Sequence, residues 1–273
     1  MHIIDCHTHA FPDAIAARAV AGLAQKSKPY IPHTDGTAAD LAETAAHNGV
    51  DTCLICNIAT KPAQVHSILR WSAEVRQQYG ERLIPLASFY PKSETWESDL
   101  QFCLDSDLPG LKFHPMYQDF NIDDDIMWEI YRRIAASGKF VIFHNGYDVG
   151  FPMDYDNASP QRLAKVLDKV PDLTVIASHV GGWHDWDNVE QYLAGRDVYI
   201  ECSFINEVPL DILYKIFASH DPDKFLFGSD TPWLEQGKLI AYINGLDIDE
   251  TFREKLFYQN AAQLLRLSNI NGV

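Results

Sequence analysis

Asp5, His7 and His9 crowd the start of the chain in "DCHTHAF". His7 and His9 are two residues apart, so on a β-strand their side chains share a face. Two imidazoles on one face of a strand end make half of a metal site. Other candidates close short apolar runs much later: His114 in "GLKFHP", His144 in "VIFHNG", His179 in "VIASHVGG" and Asp230 in "FLFGSDTPW". Imidazole and carboxylate together suit zinc and other divalent transition metals. A set of His7, His9, His144 and Asp230 would hold one ion and leave room for water or substrate. Such an ion acidifies its water or polarises a substrate oxygen. His179 would then serve as acid or base beside it, and Asp230 would accept a proton if its metal bond is weak. Each residue taken singly has an ordinary reading. A histidine at a strand end usually packs and hydrogen-bonds, and Asp230 before Thr231-Pro232 suits the cap of a turn or helix. The combination points to chemistry.

For these residues to meet, the ends of separate strands must converge. Eight short apolar runs alternate with amphipathic segments whose apolar residues recur every three or four positions. The runs are "HIIDCHTH", "TCLICNIA", "LIPLASFYP", "GLKFHPMY", "FVIFHNG", "LTVIASHVGG", "VYIECSF" and "FLFGSDTPW". Gly49, Gly80 and Gly138 follow the expected helices, Ser159-Pro160 reads as an N-cap and first helical residue, and "DIDETFREKLFYQNAAQLLRL" reads as one long C-terminal helix. The pattern predicts an α/β chain folded as a (β/α)8 TIM barrel, one domain over 1–273. Its candidate residues would gather at the carboxyl ends of the strands. A doubly wound open sheet is the alternative, weakened by the even strand count and by the lack of a GxGxxG or P-loop pattern.

Of 273 residues, 47% are hydrophobic, enough for a large core, and the net charge is −16. That charge repels nucleic acid and anionic membranes, so a small-molecule substrate is expected instead. A bound cation would still let the site take an anion. Five dispersed cysteines do not form a disulfide framework, and the Cys53/Cys56 CxxC lies in an apolar run that reads as a buried strand. No basic-then-apolar leader and no run of about 18 apolar residues is visible, so a cytoplasmic location is expected.

These residues and motifs resemble the amidohydrolase superfamily, in its amidohydrolase-2 branch with the relatives of aminocarboxymuconate semialdehyde decarboxylase. "DCHTHAF", "GLKFHP", "IFHNG", "ASHVGG", "FGSDTPW" and "NAAQLL" occur in the family's order across nearly the whole chain. The resemblance implies a TIM barrel, metal ligation by His7, His9, His144 and Asp230, and a His179 that orients or deprotonates the attacking water. In binuclear members a lysine at the position of Lys112 is carboxylated and bridges two metals. That arrangement would draw His144 and His179 to a second ion. Relatives with "GLKFHP" look more like one-metal enzymes, with Lys112 and His114 in substrate binding or support. One divalent ion is therefore expected, zinc first, with manganese, iron and cobalt open. Relatives are often dimers, so a homodimer is open too.

Other residues are less specific. Asp5 is expected to point inward, as an acceptor for a ligand histidine or as a structural acid. Glu201 is the expected partner of Lys112 if that lysine is merely a buried cation. His184 lies near enough in sequence to reach the pocket. Phe11, Tyr147, Phe151, Trp183 and Trp233 are candidate wall residues. Arg18 is the one cation found for a substrate carboxylate, although a surface position on a helix is its ordinary reading. The leading function is metal-dependent hydrolysis of a small amide, lactone or ester. The alternative is nonoxidative decarboxylation of an aromatic or unsaturated acid, which needs a further cation. A metal-binding protein without catalysis, or a metal-free lactonase, would follow if His179 or the metal proved dispensable.

Overall fold

Each of the eight apolar runs carries a strand in the computed structural model: β1 Ile4–Thr8, β2 Thr52–Ile55, β3 Leu83–Pro85, β4 Gly110–Phe113, β5 Phe140–Phe143, β6 Val175–Ala177, β7 Tyr199–Glu201 and β8 Phe225–Leu226. The structure describes residues 2–267; Met1 and residues 268–273, the ends of the expected 1–273 domain, lie outside the described residues. All strand pairs are parallel, in ladders β1-β2-β3 and β4-β5-β6-β7-β8. Two seams join the ladders into a ring. At the first, Ala87 N–H donates to Gly110 O (3.0 Å) and Lys112 N–H to Ala87 O (2.9 Å). At the second, Cys6 N–H donates to Phe227 O (2.8 Å), Asp230 N–H to His7 O (2.7 Å) and His9 N–H to Thr231 O (2.7 Å). The second seam closes the barrel and removes the open-sheet alternative.

The helices follow the strands as α1 Asp13–Ala24, α2 Ala38–His47, α3 Val65–Tyr79, α4 Trp96–Asp105, α5 Asp125–Ser137, α6 Pro160–Lys169, α7 Trp186–Tyr192, α8 Leu210–Ser219 and α9 Gln236–Asn244. Ser159 caps α6 by accepting Arg162 N–H, with Pro160 in the first helical position. The expected C-terminal helix has three parts: α10 Glu250–Glu254, a wide π turn over Lys255–Gln259, and α11 Asn260–Leu265. Within the wide turn the Leu256 carbonyl accepts Phe227 N–H at 2.8 Å, which fastens this helix to the end of β8. No described helix is long and apolar enough to cross a membrane.

Alternation along the strands sorts the core into two layers. Ile4, Cys6, Leu54, Cys56, Ile84, Leu86, Phe140, Ile142, Ile176 and Leu226 form one cluster, joined by Ala261 of α11. Cys53, Ile55, Val141, Phe143, Val175, Phe225 and Phe227 belong to the second, with the helices. The CxxC is thereby split between the layers, and all five cysteines are free and buried.

Strict alternation would put His7 on the layer opposite Ile4 and Cys6. β1 breaks alternation instead. Asp5 pairs with Cys53 and Thr8 with Ile55, so three steps on β1 match two on β2. The extra residue frees His7 to face the mouth while Asp5 does not. Asp5 is therefore a correction to the expectation of an inward acid. Its buried carboxylate accepts His7 N–H (3.1 Å), Ser229 N–H (3.0 Å), Ser229 Oγ–H (2.6 Å) and Gln236 Nε2–H of α9 (2.8 Å). Burial outweighs these bonds and pushes its carboxyl up to about 6. Asp5 pins β1 to β8 and α9 and has no bond to an imidazole.

Candidate metal centre

Three acceptor atoms from the two ends of the chain converge at the mouth: His7 Nε2, His9 Nε2 and Asp230 Oδ1. Asp230 Oδ1 is 2.9 Å from His9 Nε2 and 3.4 Å from His7 Nε2. The other nitrogen of each ring is engaged. His9 Nδ1 is 3.0 Å from the Cys56 carbonyl, which can only accept, so Nδ1 carries the proton. His7 Nδ1 is 2.8 Å from Glu201 Oε2. Burial, with Lys112 nearby, holds His7 well below the usual histidine range, so its ring is neutral. Both Nε2 atoms face the carboxylate oxygen. Among the described residues only Lys112 Nζ offers a donor, 3.1 Å from His7 Nε2. Two imidazole nitrogens and one carboxylate oxygen, with the ring tautomers fixed from behind, are a donor set that fits a divalent cation.

Lys112 is wholly buried, and burial lowers its pKa against the pull of Asp230 and Glu201. The expected Lys112–Glu201 pair is replaced by the contact with His7. His144 and His179 form the next layer. Ser203 Oγ–H donates to Glu201 Oε2 (3.0 Å), so it accepts His179 Nδ1–H at 2.7 Å and leaves His179 Nε2 as a lone pair. His144 Nε2–H donates to the Tyr147 carbonyl at 2.8 Å, and its Nδ1 lies 2.9 Å from His179 Nε2. Burial holds both rings well below the usual range. Of the four expected ligands, the structure gathers His7, His9 and Asp230, while His144 faces His179 beside them.

His114, His144 and Asp148 also lie close together. There the rings of His114 and His144 stack, with centroids 4.1 Å apart at 18°. Stacked rings cannot both aim an in-plane lone pair at one ion. His114 Nε2 instead hydrogen-bonds to Asp148 Oδ2 at 3.1 Å. His179 and Asp230 have φ of +61° and +58°. Left-handed backbone costs about 1–2 kcal/mol for a residue with a Cβ. It is held here by Trp186 Nε1–H on the His179 carbonyl (3.0 Å) and by the Asp230 N–H bond to β1. Strain of this kind concentrates at functional sites.

Above these groups lies a cavity of about 550 Å³. His7, His9, Lys112, His114, His144 and Asp230 line it, along with Phe11, Ile58, Trp71, Trp183 and Trp233. Phe11, Trp183 and Trp233 line this cavity, whereas Tyr147, Phe151 and His184 do not. Arg18 is exposed on α1 and lies outside the lining, so it does not serve a carboxylate bound there. His179 is wholly buried and off the cavity wall. Its ring lies beside that of His7, with centroids 5.1 Å apart.

The amidohydrolase family model, Amidohydro_2, matches residues 4–267. This chain belongs to the amidohydrolase-2 family. No curated protein matches the sequence. Among solved structures, an uncharacterized TIM-barrel protein from Bordetella bronchiseptica is 19% identical, with a TM-score of 0.79 over 97% of this chain and 99% of that one. The 5-carboxyvanillate decarboxylase of Novosphingobium aromaticivorans, solved with manganese and 4-hydroxy-3-methoxy-5-nitrobenzoic acid, is 12% identical. Its TM-score is 0.73 over 97% and 96% of the two chains. A probable 2-pyrone-4,6-dicarboxylic acid hydrolase from Acinetobacter baumannii, with citric acid bound, is 15% identical. Its TM-score is 0.68 over 97% and 100%. At these identities the likeness is one of fold.

In this amidohydrolase Glu201 has a larger place than its sequence suggested. Its Oε2 takes His7 Nδ1, the Ser203 hydroxyl and, at 3.3 Å, His179 N–H, while Oε1 accepts Ser203 N–H. One carboxylate therefore fixes His7 directly and His179 through Ser203. Gly228 makes the room, since a Cβ there would overlap the Glu201 carboxylate. The sequence signal was faint: an acid ending "VYIE", a serine two residues on, and a glycine in the facing "FGSD". Glu201→Gln is expected to weaken metal binding about 10- to 100-fold, the usual cost of losing a carboxylate behind a ligand histidine. Competition against a chelator of known affinity measures this; wild-type affinity would show that Glu201 does not hold His7 for a metal.

Proposed function

We propose that this chain is a metal-dependent hydrolase of a small amide, lactone or ester. The observation that carries the reading is the convergence of His7 Nε2, His9 Nε2 and Asp230 Oδ1 at the floor of a closed-barrel cavity, with each ring anchored from behind. A divalent ion bound by these atoms supplies Lewis acidity to a substrate carbonyl and makes water more acidic. His179 keeps its Nδ1–H on Ser203 and offers Nε2 to take a proton from the attacking water. His144, whose Nδ1 lies 2.9 Å from His179 Nε2, is the fourth ligand candidate. Lys112 and His114 flank the reacting group, and the aromatic walls exclude bulk water.

Zinc suits the mixed imidazole and carboxylate set, with manganese, iron and cobalt as the other candidates. Free, buried cysteines and a net charge of −16 fit a cytoplasmic enzyme of small-molecule metabolism. Decarboxylation of an aromatic or unsaturated acid is the second reading, since a decarboxylase is among the fold neighbours. It is the weaker of the two because Arg18 stands off the cavity. A panel of lactones, esters, amides and aromatic acids separates them. Carboxylate formation without CO2 is the expected result, read as proton release in a pH-stat for esters and lactones and as free amine for amides, and CO2 release from an acid would replace hydrolysis by decarboxylation.

A further inference from the structure

We infer that the body of the substrate, beyond the group that reacts at the ligand cluster, is uncharged and apolar and carries a ring. The inference rests on reading this mouth as the active site, and it applies to hydrolysis and decarboxylation alike. Away from the cluster the walls are Phe11, Ile15, Ile58, Ile68, Trp71 and Trp233. Large flat rings favour stacked or edge-on contact with another ring. A cavity of about 550 Å³ has the size of a site for a small organic ligand.

Several polar side chains in these walls are already engaged, and the others, Tyr117 among them, are neutral. Asn57 Nδ2–H donates to the Leu86 carbonyl (2.9 Å) and to Ser72 Oγ (3.2 Å). Gln64 Oε1 accepts Thr60 N–H (2.7 Å) and Lys61 N–H (2.9 Å), and Ser67 Oγ–H donates to the Gln64 carbonyl (2.8 Å). Tyr30 O–H donates to Glu207 at 2.7 Å. Ser27 is among the lining residues, and its buried Oγ is neutral and without a partner. Among the described residues Lys112 is the one lysine or arginine in the lining, and it sits on the floor against His7. The remaining charged side chains of the lining are the acids Asp148 and Asp230. A second anionic group on the substrate would leave water for an apolar wall with no cation to meet it.

The test uses the metal-loaded protein and a matched pair of rigid ligands, 2-naphthoate and 2,6-naphthalenedicarboxylate, titrated by calorimetry. Each presents one carboxylate to the cluster; the diacid pushes a second into the wall. The diacid is expected to bind about 100-fold more weakly, since each tenfold step needs only about 1.4 kcal/mol of lost interaction. Ile68→Arg, checked for folding by circular dichroism, is expected to bring the diacid back to within about tenfold of the monoacid. Equal affinities in the wild type, or tighter binding of the diacid, would overturn the inference. The wild-type comparison decides even where the variant does not fold. Turnover is read separately. A strong monoacid preference without turnover of any ester, lactone, amide or acid sinks the proposed function alone. Turnover without the preference sinks this inference alone.

Discussion

His179→Asn is expected to lower turnover by about 10²- to 10⁴-fold, the range of one general base, with metal content unchanged. Asparagine is a mild replacement here. It tolerates the left-handed backbone at this position, where φ is +61°. Its amide can keep the bond that His179 Nδ1 makes to Ser203 at 2.7 Å. What it removes is the Nε2 lone pair, which lies 2.9 Å from His144 Nδ1 and toward the ligand cluster. Steady-state kinetics beside elemental analysis of the same preparation reads both effects. Wild-type turnover would end the role of His179 as base. Loss of metal would move His179 into the ligand set, as an arrangement with two ions and a carboxylated Lys112 requires.

Asp230→Asn is expected to remove metal and activity together. Asp230 Oδ1 is the one carboxylate oxygen grouped with His7 Nε2 and His9 Nε2 among the described residues. Asn keeps its shape and its tolerance of a φ of +58° but gives up the charge. Because a ligand is lost, and not a partner behind one, affinity is expected to fall by more than about 100-fold. Turnover at subsaturating metal is expected to drop to background. Chelator competition and kinetics together check the pair of effects. Unchanged affinity would mean that the end of β8 does not ligate.

The barrel and much of its mouth were legible because they depend on short-range pattern. Alternation of apolar runs and amphipathic segments marks the strands, and a residue just past a strand end has little choice but the mouth. His9, His114, His144 and Asp230, each past the end of a strand, line the cavity for that reason. What misled was position that depends on partners far away in sequence. The irregular step between Asp5 and Thr8 turns His7 inward and leaves Asp5 on Ser229 and Gln236, and nothing in "DCHTH" announces it. Glu201 acts on a histidine 194 positions away, so its role follows from barrel closure alone. Arg18, by contrast, sits on an exposed face of α1, in keeping with its ordinary reading as a surface cation on a helix. Tyr147 spends its carbonyl on His144 while its ring stays off the wall. The orientation of the His144 ring toward His179 depends on that carbonyl and was invisible for the same reason.

His7, His9 and Asp230 are expected to hold one divalent ion. Elemental analysis of protein purified without chelator or metal-affinity resin tests it directly. About one transition-metal ion per chain is the expected result. No metal, with none taken up on addition, would contradict it.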